Sequence, residues 1–441
     1  MSKFSRLLGT LGASVLAASA LVACGSSEDT ADVYFLNFKP EQDAAYQAIA
    51  KKYTEETGVP VKVVTAASNT YEQTLKSEVA KSDAPTLFQI NGPVGLQTWQ
   101  SYAADITDLD ATKALNADID PLKGEDGKIY GLPFAVEGYG IIYNEEIFDN
   151  YFALPGAPVG SLNEVDSFTE LKAVAEDMQS KADELGINGV FAATSLASGE
   201  EWRWQTHLAN LPVHQEFVDL DNNRPAELEF KYNAEFKNLF DLYLDNSTVP
   251  RTLTPSKAVS DSMAEFALGQ AAMVQNGNWA WSQISDVNGN VVKKDKIKYL
   301  PMYMGLPNEA SQGLAIGTEN YLAVNAKASE LDQEASRDFV NWLFTTDEGR
   351  ALVVSDLGFI APFEGFTVAD TPDDPLAKEI AANMADSTKT AIPWDFQYFP
   401  SQQFKNDFGQ ALAQYATGNL DWNQVVETVR DSWAAEQAAL K

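Results

Sequence analysis

The chain has 441 residues, with 63 Asp or Glu against 31 Lys or Arg, so its formal net charge at pH 7 is −32. Such a strong negative charge argues against nucleic acid and anionic ligands, and it favours a neutral or cationic ligand. The length exceeds what one hydrophobic core usually supports, so we expect two lobes.

The first 23 residues are predicted to be a secretory signal peptide. Lys3 and Arg6 precede an apolar run over 7–23, and this order is typical of an export leader. The run ends in Leu-Val-Ala-Cys24, which resembles the lipobox of bacterial lipoproteins, where cleavage precedes the cysteine and the thiol takes lipid. Cys24 is the sole cysteine, so no intramolecular disulfide can form. We therefore predict a lipid-anchored protein at the cell membrane, outside the cytoplasm, with 24–32 as a tether.

Short strands and helices alternate after the tether. Apolar runs indicate strands at 33–36, 61–64 and 87–90, and helical spacing of apolar residues indicates helices at 41–53 and after residue 71. This βαβαβ order predicts the opening of a doubly wound parallel sheet and an α/β fold.

Polar residues stand where these strands end. Ligands of doubly wound sheets bind beyond the carboxyl ends of the strands, so Asn37, Lys39 and Asn91 are candidate ligand-binding residues. No glycine-rich phosphate loop occurs at these ends, and we expect no nucleotide or other cofactor.

The rest of the chain mixes helices and strands. Apolar periodicity predicts helices at 168–181, 234–244, 261–268, 331–344 and 402–416. Short apolar runs predict strands at 140–143, 271–274 and 321–324.

The stretch AMVQNGNWAWSQI, residues 272–284, carries two tryptophans two residues apart. A core accommodates indoles but not the Asn-Gly-Asn that precedes them. We predict that residues 276–278 form a turn, and that one of the two tryptophans packs in the core, because residues two apart in a short turn face different ways.

Three motifs carry a family resemblance. They are LPFAVEGYGIIYNEEIF (132–148), FALGQAAMVQNGNWAWSQI (266–284) and FVNWLFTTDEGRALV (339–353). Together with the lipobox, they resemble the bacterial extracellular solute-binding proteins of carbohydrate uptake, the relatives of maltose-binding protein. The resemblance implies a monomeric, non-enzymatic protein with two α/β lobes and a ligand cleft between them, which passes an oligosaccharide to the permease subunits of an ABC transporter by hinge closure.

The resemblance also implies how the chain divides. The first lobe is expected to contain residues 33–136 and 318–352. The second is expected to contain residues 137–317 and 353–441.

Candidate sugar-binding residues follow from the same resemblance. Glu137 matches a glutamate at the first lobe crossing, and Trp279 matches a tryptophan that covers the apolar face of a pyranose ring. SGEEWRWQTHL, residues 198–208, and IPWDFQYFP, residues 392–400, fall near further ligand-facing aromatics of the family. They supply the candidates Trp202, Trp204, Glu201 and Trp394.

This sequence departs from the family pattern at the third strand. Maltose-binding proteins carry a tryptophan near the end of that strand, where this chain has Gln89-Ile90-Asn91. The loss of that stacking surface argues against maltodextrin and favours a different linkage or a shorter oligosaccharide.

Two alternatives remain open at this point. The acidic charge also permits the same fold to bind a polyamine or a peptide, and carboxylates beside tryptophans in a cleft also suit an exported glycoside hydrolase. We expect no metal site, because two histidines are too few for a usual transition-metal centre and 219–224 lacks the glycine and distal glutamate of a calcium loop.

Overall fold

The computed structural model describes residues 31–67, 70–117, 119–367 and 370–440. The predicted signal peptide and the lipidation residue Cys24 lie outside the described residues. Within the described part of the chain, no helix combines the length and the apolar character needed to cross a bilayer.

The described residues form twelve strands and sixteen α-helices. The strands are β1 (Val33–Asn37), β2 (Val61–Thr65), β3 (Leu87–Asn91), β4 (Leu122–Lys123), β5 (Ile129–Pro133), β6 (Glu137–Asn144), β7 (Gly189–Phe191), β8 (Ala271–Gly277), β9 (Ile297–Leu300), β10 (Gln312–Gly317), β11 (Asn320–Val324) and β12 (Thr390–Ile392). The first eight helices are α1 (Asp43–Thr57), α2 (Tyr71–Glu78), α3 (Gly92–Trp99), α4 (Asp110–Lys113), α5 (Glu145–Phe152), α6 (Phe168–Ser180), α7 (Ala182–Leu185) and α8 (Ala209–Asp219). The other eight are α9 (Asn233–Asp245), α10 (Val259–Ala267), α11 (Ala280–Ser285), α12 (Glu330–Thr345), α13 (Asp347–Ser355), α14 (Pro375–Ala385), α15 (Gln402–Ala416) and α16 (Trp422–Ala439).

The strands form two separate sheets. The first has the order β2-β1-β3-β11-β5-β4, with β1 parallel to β2 and β3, and with β11 antiparallel to β3. The second has the order β12-β10-β6-β8-β7, and β9 also pairs with β6. The predicted strands and helices are confirmed, as is the two-lobed α/β fold class.

Each sheet is covered by apolar side chains on both faces. In β1, Phe35 packs with the helical residue Phe339, while its neighbour Leu36 packs on the opposite face with Phe88. In β6, Ile141 and Ile142 divide in the same way between two clusters. Successive side chains of a strand point to opposite faces, so these continuous apolar runs belong to sheets buried on both sides.

The chain passes between the two sheets at least twice. It leaves the first sheet after Pro133 and enters the second at Glu137, and it returns between Gly317 and Asn320. Most apolar side chains between 353 and 363 pack with the first sheet, namely Val353, Leu357, Phe359, Ala361 and Phe363, while Ile360 packs with the second. The predicted lobe boundaries stay a prediction, and this packing favours a first lobe that extends beyond residue 352.

Candidate functional site

A cavity of about 740 Å³ opens where the first sheet ends and faces elements of the second. This volume is within the range of small-molecule binding sites. The lining residues include those that follow β1 and β3, the start of β6, the segment before α8, and the residues after β8. Its aromatic and polar side chains include Phe38, Lys39, Glu41, Tyr71, Glu72, Asn91, Glu137, Glu200, Trp202, Gln205, Thr206, His207, Trp279, Gln283, Glu319, Gln402 and Lys405.

Five of the nine predicted ligand residues line this cavity. They are Lys39, Asn91, Glu137, Trp202 and Trp279. Lys39 and Asn91 reach it because they stand at the carboxyl ends of β1 and β3, as the fold rule predicts.

Lys39 and Glu137 form a buried ion pair at the floor of the cavity. The Lys39 ammonium donates to both carboxylate oxygens of Glu137, at 2.8 Å to Oε1 and 3.0 Å to Oε2. Glu41 lies 3.7 Å from the same ammonium. Burial on its own lowers the pKa of Lys39, but the two carboxylates outweigh burial and hold that pKa above its ordinary value. The pair joins the loop after β1 to the first strand of the second sheet.

Trp279 presents its half-buried indole to the cavity just beyond β8. The strand runs through Asn276 and Gly277, so the predicted Asn-Gly-Asn turn is wrong in extent and only its last residue follows the strand. Asn278 fixes the backbone there, because its Oδ1 accepts from the Gly138 amide at 2.9 Å. A Cβ on Gly277 would lie 2.2 Å from the Trp279 ring, so glycine is required for the indole to lie over the strand end.

Trp202 faces Trp279 across one corner of the cavity, with ring centroids 6.1 Å apart. It precedes a π-helical segment, Arg203–Leu208, and its ring meets the ring of His207, five residues on, edge to face at 4.9 Å. The guanidinium of Arg203 lies over the Trp202 ring, 4.2 Å from its centroid. These contacts hold the indole in one orientation, and π-helical segments occur often at functional sites.

His207 is a cavity residue that the sequence reasoning missed. Its ring stacks on Tyr139 at 4.1 Å and lies 5.6 Å from Trp279. Burial, reinforced by nearby cationic side chains, holds the pKa of His207 well below its usual range, so the ring is neutral at physiological pH. A neutral imidazole can both donate to and accept from a ligand hydroxyl.

Five charged residues of the cavity were also missed: Glu41, Glu72, Glu200, Glu319 and Lys405. Burial raises the pKa of the Glu41, Glu72 and Glu319 carboxyls, and it lowers the pKa of the Lys405 ammonium. Glu41 follows β1, Glu72 is in α2, Lys405 is in α15, and Glu319 lies between β10 and β11. Glu200 precedes the π-helical segment, and no local sequence signal brings these positions together.

The four other predicted ligand residues lie outside the cavity lining. Trp204 is in the core, where its Nε1 donates to the Ser195 carbonyl at 3.1 Å. Trp394 packs over Gly317, where a Cβ would lie 2.6 Å from its ring. The backbone amide of Gly199 donates to the Glu201 carboxylate at 2.7 Å.

Asn37 is the fourth of these residues. Its Nδ2 donates to the Lys39 carbonyl at 2.7 Å and its Oδ1 accepts from the Lys39 amide at 3.1 Å. Asn37 thus shapes the loop that carries Lys39 to the cavity. Its predicted position at the strand end is right, and its Nδ2 also donates to Thr65 Oγ1 at the end of β2, at 3.1 Å.

The described residues contain no group of three or more His, Cys, Asp or Glu side chains arranged to hold a metal ion. The arrangement in the cavity instead suits an uncharged or weakly charged polar molecule with apolar faces. Indole rings cover such faces, while the carboxylates, amides and imidazole bond to polar edges.

Solved structures share this fold. A chitin oligosaccharide binding protein is 21% identical, with 93% of this chain and 100% of that chain covered and a TM-score of 0.73. The solute-binding protein RafE in complex with raffinose is 19% identical, with coverage of 92% and 100% and a TM-score of 0.68. The GacH receptor of Streptomyces glaucescens, solved unliganded and with acarbose, is 18% identical, with coverage of 93% and 100% and a TM-score of 0.68.

The sequence itself matches a family model described as bacterial extracellular solute-binding protein, over residues 48–383. This match confirms the family resemblance seen in the three motifs. Since the model spans well over half of the sequence, the chain belongs to the bacterial extracellular solute-binding proteins.

Proposed function

We propose that this protein captures an oligosaccharide in the cavity and delivers it to the permease subunits of an ABC transporter. The observation that carries the proposal is the pairing of the Trp202 and Trp279 indoles beside the Lys39–Glu137 ion pair. Pyranose rings have apolar faces and hydroxyl edges, so they suit indoles beside bonded polar groups. The solved structures of a chitin oligosaccharide binding protein, of RafE with raffinose and of GacH with acarbose support a sugar as the ligand class.

The five lining residues Lys39, Asn91, Glu137, Trp202 and Trp279 are the proposed ligand contacts, and His207 joins them. Because the cavity takes its walls from elements of both sheets, a bound sugar contacts both lobes. Such a ligand favours the closed arrangement of the lobes by its higher affinity for that state. The permease then recognises the closed shape.

Calorimetry against a panel of oligosaccharides tests the capture step. We expect binding of at least one sugar, together with a smaller radius of gyration in small-angle scattering when that sugar is present. Binding of a polyamine or a peptide with no sugar binding would contradict the proposal. Release of shorter products from the bound sugar would show instead that the protein is a glycoside hydrolase.

Membrane attachment through Cys24 is a separate part of the proposal. It rests on the leader sequence and on the lone cysteine. Cys24→Ser is expected to abolish fatty-acid labelling in cells and to release the protein from the membrane fraction. Equal labelling of the variant and the wild type would show that lipid is attached elsewhere.

A further inference from the structure

Charged side chains line the cavity unequally. Among the described residues, five glutamates and two lysines contribute to its walls: Glu41, Glu72, Glu137, Glu200, Glu319, Lys39 and Lys405. Excess charge of one sign is costly in a partly enclosed site unless a partner offsets it. The identity of that partner follows from which of these groups are already paired.

Lys39 is already engaged. Both oxygens of Glu137 lie within 3.0 Å of its ammonium, and both side chains are buried. Glu41 is also within 3.7 Å of the Lys39 ammonium. Lys39 therefore already serves two carboxylates, and Glu72, Glu200 and Glu319 remain with Lys405 as the second lysine of the lining.

Lys405 does not balance them. The described residues place no carboxylate within the 4.0 Å of an ion pair from its ammonium, although Glu319 and Glu72 act on it from farther away. Arg203 is the other cation nearby, and its guanidinium packs on the Trp202 ring instead of lining the cavity. Burial raises the pKa of the Glu319 carboxyl, as expected of a carboxylate that lacks a close cation.

Two acceptors in the walls lack donors. Within the described part of the chain, the half-buried Glu319 carboxylate has neither a hydrogen bond nor an ion pair. Gln205 also lines the cavity with only 4% of its surface exposed, and its Oε1 accepts no hydrogen bond. Unpaired buried acceptors destabilise a protein until a donor reaches them. These atoms therefore favour a ligand rich in N–H or O–H donors.

The indole faces also tolerate positive charge. The Lys39 ammonium already lies 5.9 Å from the centroid of the Trp279 ring. Aromatic faces attract cations through their quadrupole, and they also cover the apolar faces of sugar rings.

We propose that the oligosaccharide carries a protonated amine, as in an amino sugar whose nitrogen is not acetylated, and that Glu319 is the carboxylate that selects it. This inference rests on the proposed function, since it names the sugar class for the same cavity. The sugar rings stack on the indoles, and the ammonium supplies positive charge and N–H donors to the Glu319 carboxylate and to the Gln205 Oε1. A uronic acid adds a further negative charge and is disfavoured.

The test uses matched pairs of hexosamine oligomers, in gluco and galacto configuration, that differ only in whether the nitrogen is free or acetylated. Galacturonate oligomers and spermidine complete the panel, and binding to the whole mature chain is measured by calorimetry at about pH 6, where the free amine is protonated. We expect the free amine to bind roughly tenfold or more tightly than its acetylated partner at low salt. This advantage should shrink at about 0.5 M salt, because ions screen the attraction.

Glu319→Gln is the diagnostic variant, and Glu125→Gln is its matched control, since Glu125 is exposed and the change in net charge is identical. Glu319→Gln should remove most of the preference for the free amine while retaining affinity for the acetylated sugar. Glu125→Gln should bind as the wild type does.

Equal or tighter binding of acetylated or acidic sugars, or an unchanged preference in Glu319→Gln, would overturn this inference and leave the proposed function in place. No binding of any of these sugars at millimolar concentration would overturn this inference alone, because the wider oligosaccharide panel tests the proposed function. Binding of spermidine together with no binding of any sugar in either panel would overturn both.

Discussion

Two aromatic stretches of this chain are built alike in sequence and differently in structure. Residues 198–208 and 272–284 each carry two tryptophans two positions apart, and in each stretch one indole lines the cavity while the other packs elsewhere. In the second stretch the outcome follows from the end of β8. In the first it follows from a π-helical segment, in which Trp202 meets the residue five positions on.

This difference shows when the spacing of two tryptophans predicts which of them lines the cavity. β8 runs antiparallel to β6, so Trp279, just beyond the last residue of β8, lies beside the start of β6 where Glu137 also lines the cavity. A π-helix is rare and has no reliable sequence signature, so the orientation of the indoles at 202 and 204 does not follow from their spacing.

The largest expected effect separates the two tryptophans of the first stretch. Trp204→Ala removes a buried indole from a cluster with Phe240 and Tyr243 and is expected to lower the free energy of unfolding by about 3–5 kcal/mol. Trp202→Ala should cost much less stability and more affinity for the sugar. Denaturant unfolding and calorimetry on both variants check the contrast, and loss of affinity without loss of stability in Trp204→Ala would contradict its assignment to the core.

The two tryptophans of the second stretch should also differ, and the expected change in free energy is somewhat smaller. Trp279→Ala is expected to weaken sugar binding by roughly 2–4 kcal/mol, because a stacking surface is lost from a cavity and not from a core. Trp281 packs with the apolar cluster on the far side of the second sheet, so Trp281→Ala serves as the control and should retain affinity. Calorimetry gives the affinities, and unchanged binding in Trp279→Ala together with a collapsed melting temperature would make that indole structural.

Glu137→Gln tests the residue where the chain enters the second sheet, which lines the cavity beside the two indoles. The change replaces a carboxylate that accepts from Lys39 with a neutral amide, so we expect losses of about 1–3 kcal/mol in both stability and sugar affinity. The double variant Lys39→Met/Glu137→Gln should lose less stability than the two single variants summed, since it leaves no unpaired charge. Strict additivity in denaturant unfolding would show that the two groups do not act as a pair.

The fold was largely predictable from the sequence, and the site only in part. Apolar periodicity and strand-end geometry placed the strands, the helices and residues such as Lys39 and Asn91, because these depend on local patterns. Glu319, Lys405 and His207 reach the cavity from separate elements, and only the packing of the whole chain brings them together. The prediction for Trp394 was wrong about its surroundings, because a sequence dense in aromatic residues is equally suited to core packing. The Trp394 ring packs against Gly317 and Phe396.

The smallest predicted effect concerns the imidazole that the π-helical segment buries. Burial, with the cations Arg203, Lys405 and Lys39 nearby, depresses the pKa of His207 in the folded protein, while in the unfolded chain the imidazole titrates near its ordinary value of about 6.5. Below that pH the unfolded chain binds a proton at this imidazole and the folded protein does not. His207 therefore lowers the free energy of unfolding as pH falls, and it has no effect on the pH dependence above about pH 7. The contribution is expected to be roughly 1 kcal/mol lost between about pH 6.5 and pH 5.5.

Denaturant unfolding of wild type and His207→Gln across this range isolates the slope. The variant should be less stable near pH 7, because it loses the stacking on Tyr139. The gap between the two curves should then narrow by roughly 1 kcal/mol between about pH 6.5 and pH 5.5, because only the wild type loses stability there. His214→Gln changes the other histidine and should keep the His207 contribution intact. If wild type and His207→Gln run parallel from pH 7 to pH 5.5, the imidazole is accessible to protons in the folded state. The buried edge-to-face contact of His207 with Trp202 would then not exist in solution.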